Sequence, residues 1–115
     1  MKLFFSFLAS LFLSTSVFAD QGISDTEILV GMHTDISGPA SMIGKQSVDG
    51  ANMRFEEFNK KGGAYGRTIK FIVEDHQYTV PRAVQASNKL LRKDKIAFML
   101  GSLGTPMNNA VMTDQ

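Results

Sequence analysis

Two short runs hold the side chains best suited to chemistry, and the chemistry they suit is binding. The first is Gly101-Ser102-Leu103-Gly104-Thr105-Pro106, which follows an apolar stretch and leads into a helical pattern. Ser102 and Thr105 offer hydroxyls, and Gly104 lets a ligand approach the backbone closely. Amide hydrogens at the start of a helix favour a carboxylate or phosphate. The second run, Asp35-Ile36-Ser37-Gly38-Pro39-Ala40-Ser41-Met42-Ile43-Gly44, is rich in residues that turn the chain tightly and leave amides and hydroxyls available. Both suit a polar or anionic small molecule. Neither adds a base or nucleophile: the chain has no cysteine, and no serine sits in a nucleophile-elbow setting. A second role for Thr105 and Pro106 is structural, with the threonine capping the helix and the proline filling its first turn. The two roles are compatible.

Other constellations are weaker. His33 and His76 end the first two strand patterns beside Asp35 and Asp75, a set with metal-ligand chemistry, but the spacing matches no established metal motif. Gly38 to Gln46 resembles a phosphate-binding P-loop and fails twice. Five residues rather than four separate its glycines, and Gln46 stands where a Ser or Thr should hold the metal. No dinucleotide fingerprint follows any strand, so no cofactor is expected. Tyr78 either overlooks the ligand crevice or packs beneath the following helix, and the sequence leaves both open.

These runs need a frame to position them. Residues 27–33 are nearly continuous in apolar character, as in a strand buried on both faces. A helix is predicted over 45–61, with Val48, Ala51, Phe55 and Phe58 on one stripe and Gly62-Gly63 as its stop. A second strand is predicted over 68–75. The second helix opens at Thr79-Val80-Pro81, with the threonine as its cap, and buries Ala83, Val84, Ser87, Leu90 and Leu91. A third strand is predicted over 96–100, and a further helix opens near Met107. Strands alternating with helices in this order give an α/β fold with a parallel sheet and right-handed crossovers. The runs at 34–44 and 101–106 then leave carboxyl ends of strands on one edge of the sheet and face one crevice.

Residues 1–19 are set apart as a signal peptide. Lys2 precedes an apolar run from Leu3 to Leu13, and Val17 and Ala19 suit cleavage between Ala19 and Asp20. No cysteine follows to accept a lipid. Export to the periplasm is therefore expected, with residues 20–115 as the mature part. Lys2 is one of 12 basic residues, so its removal leaves the remainder level with the 11 acidic ones. No basic face stands out as a nucleic-acid footprint. Lys60-Lys61 and Arg92-Lys93 lie where predicted helices end and complement the helix dipole.

The order of features resembles the periplasmic leucine/isoleucine/valine-binding protein family, type I solute-binding proteins of ABC importers. The resemblance rests on Ile28-Leu29-Val30-Gly31 leading to Ser37-Gly38-Pro39 and Gly44, then Asp49-Gly50-Ala51 and Asn59-Lys60-Lys61-Gly62-Gly63. Gly66, Glu74-Asp75, Pro81, Ala83 and Gly101-Ser102-Leu103-Gly104-Thr105 complete it. It implies a two-lobed clamshell holding an amino acid, branched-chain or related, or a similar small polar solute, and handing it to a membrane permease. It places the ligand carboxylate at Thr105, with the backbone of Gly104 and Leu103, beside Ser102. Ile43 matches a position that is aromatic in some members. It also implies a longer protein: this stretch covers about three strand–helix units of the first lobe, without the second lobe, and is expected to bind ligand poorly by itself. The competing readings are the sensory domain of a signalling protein, which uses the same fold, and an exported α/β enzyme.

Overall fold

A computed structural model describes residues 20–114, so the proposed leader lies outside the described residues. Strand β1 (Glu27–Thr34) is the centre of the molecule, buried from Val30 to its end. Its apolar run needs cover on both faces, and the chain supplies it. Helix α1 (Ser41–Lys60) leads to β2 (Thr68–Asp75), and α2 (Val80–Asn88) runs on into a single wide π-helical turn at Lys89–Lys93. Then come a short β3 (Phe98–Met99) and α3 (Thr105–Val111). The sheet is parallel in the order β2-β1-β3, with Val30 opposite both Phe71 and Phe98. The two crossovers run in opposite directions past β1, so right-handed connections put α1 and α2 on opposite faces.

The tightly packed core lies on the α2 side. Leu90 and Ile96 close over Gly31 of β1, and Ala83, Ala86, Met107 and Val111 are buried too, while Val30 and Met32 are buried on the opposite face, which Val30 shares with its register partner Phe71. Burying an aliphatic side chain of this size contributes about 1.5–3 kcal/mol. On the other face Phe55 of α1 meets Phe71 of β2 edge-on, with ring centroids 5.2 Å apart. The Asn59 side chain both donates to Ile69 O and accepts from Ile69 N, so part of the outer edge of β2 is paired by a helix side chain. The stop at Gly62-Gly63 behaves as predicted: Gly62 N–H donates to Asn59 O and Gly63 N–H to Phe58 O, the paired bonds of a Schellman ending.

Three predicted elements differ in detail. Helix α1 begins at Ser41 rather than near Lys45, because Gly44 N–H already reaches Ala40 O. Residues 41–44, read as loop, therefore form its first turn. Strand β3 is shorter than 96–100. Lys95 takes φ 52° and turns Ile96 into the core instead of along the sheet. Ala97 N and Leu100 N still donate to Leu29 O and Gly31 O on β1, so the parallel pairing outlasts the strand proper. Thr79 does sit at the start of α2, but its hydroxyl donates back to His76 O and makes no cap bond to the helix.

Candidate functional site

With β1 in the middle, the chain leaves β1 toward β2 and leaves β3 on the other side. The connections from the carboxyl ends of β1 and β3 therefore diverge, and a crevice opens between them, the ligand position of open α/β sheets. Both runs singled out in the sequence lie here.

The connection after β1, residues 35–40, is shaped by two carboxylates. Asp35, fully buried, accepts the Gly38 N–H with one oxygen and the Ala40 N–H with the other. Asp75, at the end of β2, accepts Ile36 N–H and Gln77 N–H at 3.0 Å, and the Ser37 hydroxyl with its second oxygen. The two acids thus spend their lone pairs on the loop. Partial burial pushes the Asp75 carboxyl up, but the donors from Ser37, Ile36 and Gln77 outweigh it and hold the group below the ordinary carboxylate value.

Beneath the crevice lie two buried histidines, with ring centroids 5.5 Å apart. Burial lowers His33 to about 4, and the neighbouring His76 adds to the effect. His76 accepts the Tyr78 N–H at Nδ1, 3.0 Å away, so Nε2 carries the proton and donates it to Leu103 O at 2.9 Å. Its backbone N–H donates to Thr34 O. One residue at the end of β2 is thereby tied to the ends of β1 and of the β3 connection. Among the described residues no group of three or more His, Cys, Asp or Glu is arranged to hold a metal ion.

Ser102, Leu103, Gly104 and Thr105 form one short connection above these rings. Leu103 N–H donates to His33 O at 3.4 Å, and the Asn108 side chain donates to Ser102 O at 3.0 Å. The Ser102 hydroxyl is buried with no hydrogen-bond partner among the described residues. Thr105 is exposed and is not the helix cap. Gly104 takes that position at φ 98° and ψ 116°, a conformation a β-branched residue does not adopt, and Thr105 is the first helical residue. The Thr105 hydroxyl is therefore not engaged as a cap.

Ile43 is 56 % exposed in the first turn of α1, just past the Asp35–Ala40 connection, rather than in a loop. Tyr78 is settled: it stands at this edge, partly exposed. Its ring lies 6.4 Å from that of His76, and its Cε2 is 3.3 Å from where a β-carbon on Gly104 would sit. Gln77 and Tyr78 both take positive φ, 50° and 57°, a strained pair for residues with side chains. That strain, and the link from His76 to Leu103, were not foreseen. The sequence signal for them was only a histidine immediately after a strand. A separate hollow lined by Gly22, Ile23, Glu27 and Lys95 lies at the opposite, amino-terminal edge of the sheet.

The profile of the periplasmic binding proteins matches residues 27–114. The chain belongs to this family. It is 30% identical over 79 residues to a Leu/Ile/Val-binding protein of Rhizobium johnstonii, covering 69% of this chain and 21% of that protein. It is 27% identical over 96 residues to a leucine-, isoleucine-, valine-, threonine- and alanine-binding protein of Pseudomonas aeruginosa, covering 82% and 26%. Among solved structures it superposes on a fatty acid ABC transporter substrate-binding protein from Thermomonospora curvata, with TM-score 0.75, 33% identity, and coverage of 82% of this chain and 24% of that one. The branched-chain amino acid binding protein of Streptococcus pneumoniae, solved with isoleucine, shares the fold at TM-score 0.73 and 21% identity, over 77% of this chain and 26% of that one. The chain spans about a quarter of the length of these periplasmic binding proteins. Its strands and helices are those of a type I periplasmic binding protein.

Proposed function

We propose that residues 20–115 form the opening part of the first lobe of an exported solute receptor, which binds its ligand between two lobes and delivers it to the permease of an ABC importer. The reading is of a binding protein and not an enzyme. The ligand class it favours is an amino acid, branched-chain or related, with the carboxylate at Thr105, Gly104, Leu103 and Ser102, and Ile43 in the wall beside it. The observation that carries it is the connection at 101–105. It lies at the switch point of the sheet, and neither the Thr105 hydroxyl nor the Gly104 and Thr105 amides has a bonding partner among the described residues. Such donors bind a carboxylate through charge-assisted hydrogen bonds. The names of the relatives support an amino acid or another carboxylate-bearing solute.

The test is calorimetric titration of the complete protein with a panel of aliphatic amino acids and a fatty acid. One member is expected to saturate at a single site, and Thr105→Ala to weaken it about tenfold or more, the loss of one hydrogen bond to a charged group. Unchanged affinity in Thr105→Ala would place the carboxylate elsewhere. Residues 20–115 alone are expected to show no micromolar binding, because in this reading a second lobe supplies the other half of the ligand contacts.

A further inference from the structure

The Leu103 carbonyl is held from below by a buried imidazole, and the geometry of the peptide bond passes that constraint upward. His76 is fully buried, and its two ring nitrogens are both engaged: Nδ1 accepts from Tyr78 N–H, which leaves Nε2–H to donate to Leu103 O at 2.9 Å. In a planar trans peptide the carbonyl and the following amide hydrogen point in opposite directions. All peptide bonds among the described residues are trans. Fixing Leu103 O toward the buried ring therefore turns the Gly104 N–H away from it. Leu103 N–H is held as well, by His33 O, so the peptides on both sides of Leu103 are constrained. Gly104 then sits at φ 98° and ψ 116°, with Tyr78 packed close beside it.

We propose that His76 is a positioning residue for the solute carboxylate: through Leu103 it aims the Gly104 amide hydrogen at the ligand. This rests on the reading of the 101–105 connection as the carboxylate site. The role needs a donor at the Nε2 position, fixed in the neutral ring by the Tyr78 amide. A glutamine amide reaches a similar point and can donate; a leucine fills similar space and cannot. Leu103 O would then lose its partner, and the peptide would be free to rotate.

The experiment compares the complete wild-type protein with His76→Gln and His76→Leu, titrated with L-leucine and with L-leucinamide, which lacks the carboxylate. The quantity read is the ratio of the two affinities. His76→Leu is expected to lower that ratio at least fivefold, and His76→Gln to keep it within about twofold of wild type. A general structural loss weakens both ligands alike, so an unchanged ratio in His76→Leu overturns the proposal. If wild type binds neither ligand, the carboxylate-site reading fails for this solute. The orientation is then read from the Gly104 amide resonance in ¹⁵N–¹H spectra of the same three proteins. A displaced resonance in His76→Leu that returns in His76→Gln supports the positioning role, and one that stays in place in both variants overturns it.

Discussion

Gly44→Ala is expected to destabilise the fold by about 3 kcal/mol. Gly44 is buried in the first turn of α1, where the helix lands directly on the end of β1. A β-carbon there would lie 1.8 Å from Asp35 O, 2.8 Å from Asp35 C and 3.0 Å from the Thr34 hydroxyl oxygen. The first two of these are backbone atoms of a fully buried residue, so no side-chain rotation relieves the clash. The helix has to move off the strand, and the Asp35–Ala40 connection moves with it. Gly50, in the same helix, is the control. Nothing lies within 4 Å of a β-carbon placed there, so Gly50→Ala is expected to stabilise by roughly 0.5–1 kcal/mol through helix propensity. Thermal melts of the two variants distinguish the cases. Opposite shifts are expected, and a Gly44→Ala midpoint equal to wild type would mean that the close approach of α1 to β1 is not real.

The second large effect is expected of Asp35→Ala, also about 3 kcal/mol. Asp35 holds two backbone amides with one buried carboxylate, and each hydrogen bond to a charged group contributes about 1.5–3 kcal/mol. Truncation leaves the Gly38 and Ala40 amides without acceptors at the point where α1 starts. Asp35→Asn keeps one acceptor oxygen and should fall between the two. Acid should loosen the same edge. Asp75 and His33 both have lowered values in the folded state, so the unfolded chain binds more protons as pH falls. For His33 the stability is fully present above about 6.5 and is lost as pH drops toward about 4; for Asp75 it is lost lower, as the ordinary carboxylate range is crossed. With solvent screening discounted, the His33 part is about 2 kcal/mol. Chemical denaturation of wild type at pH 7, 5.5 and 4, beside the two variants at pH 7, reads all of this. An Asp35→Ala protein as stable as wild type, or a wild type indifferent to acid over this range, would contradict the description of the edge.

Much of this fold was legible because its elements are strongly patterned. The apolar run of β1, the Phe55–Phe58 stripe of α1 and the Gly62-Gly63 stop need no tertiary knowledge. What the sequence hid depends on contacts distant along the chain. The early start of α1 follows from the Asp35 carboxylate and from a glycine that fits against β1, neither of which shows in periodicity. The shortness of β3 follows from Lys95 adopting a positive φ so that Ile96 can fill the core under Leu90. At the site, Thr105 carried the signals of a helix cap, yet the chain placed Gly104 there, because only a residue without a side chain accepts that conformation beside Tyr78 and Met107. His76 looked like a strand-end polar residue; its partner, Leu103, lies 27 positions away.

The most direct test of the central claim is a crystal structure of the complete protein with its solute bound. The account predicts a ligand carboxylate within hydrogen-bonding distance of the Gly104 amide and the Thr105 hydroxyl, over an unmoved His76–Leu103 bond. A solute held wholly by other parts of the protein, with residues 101–105 facing bulk water, would contradict it.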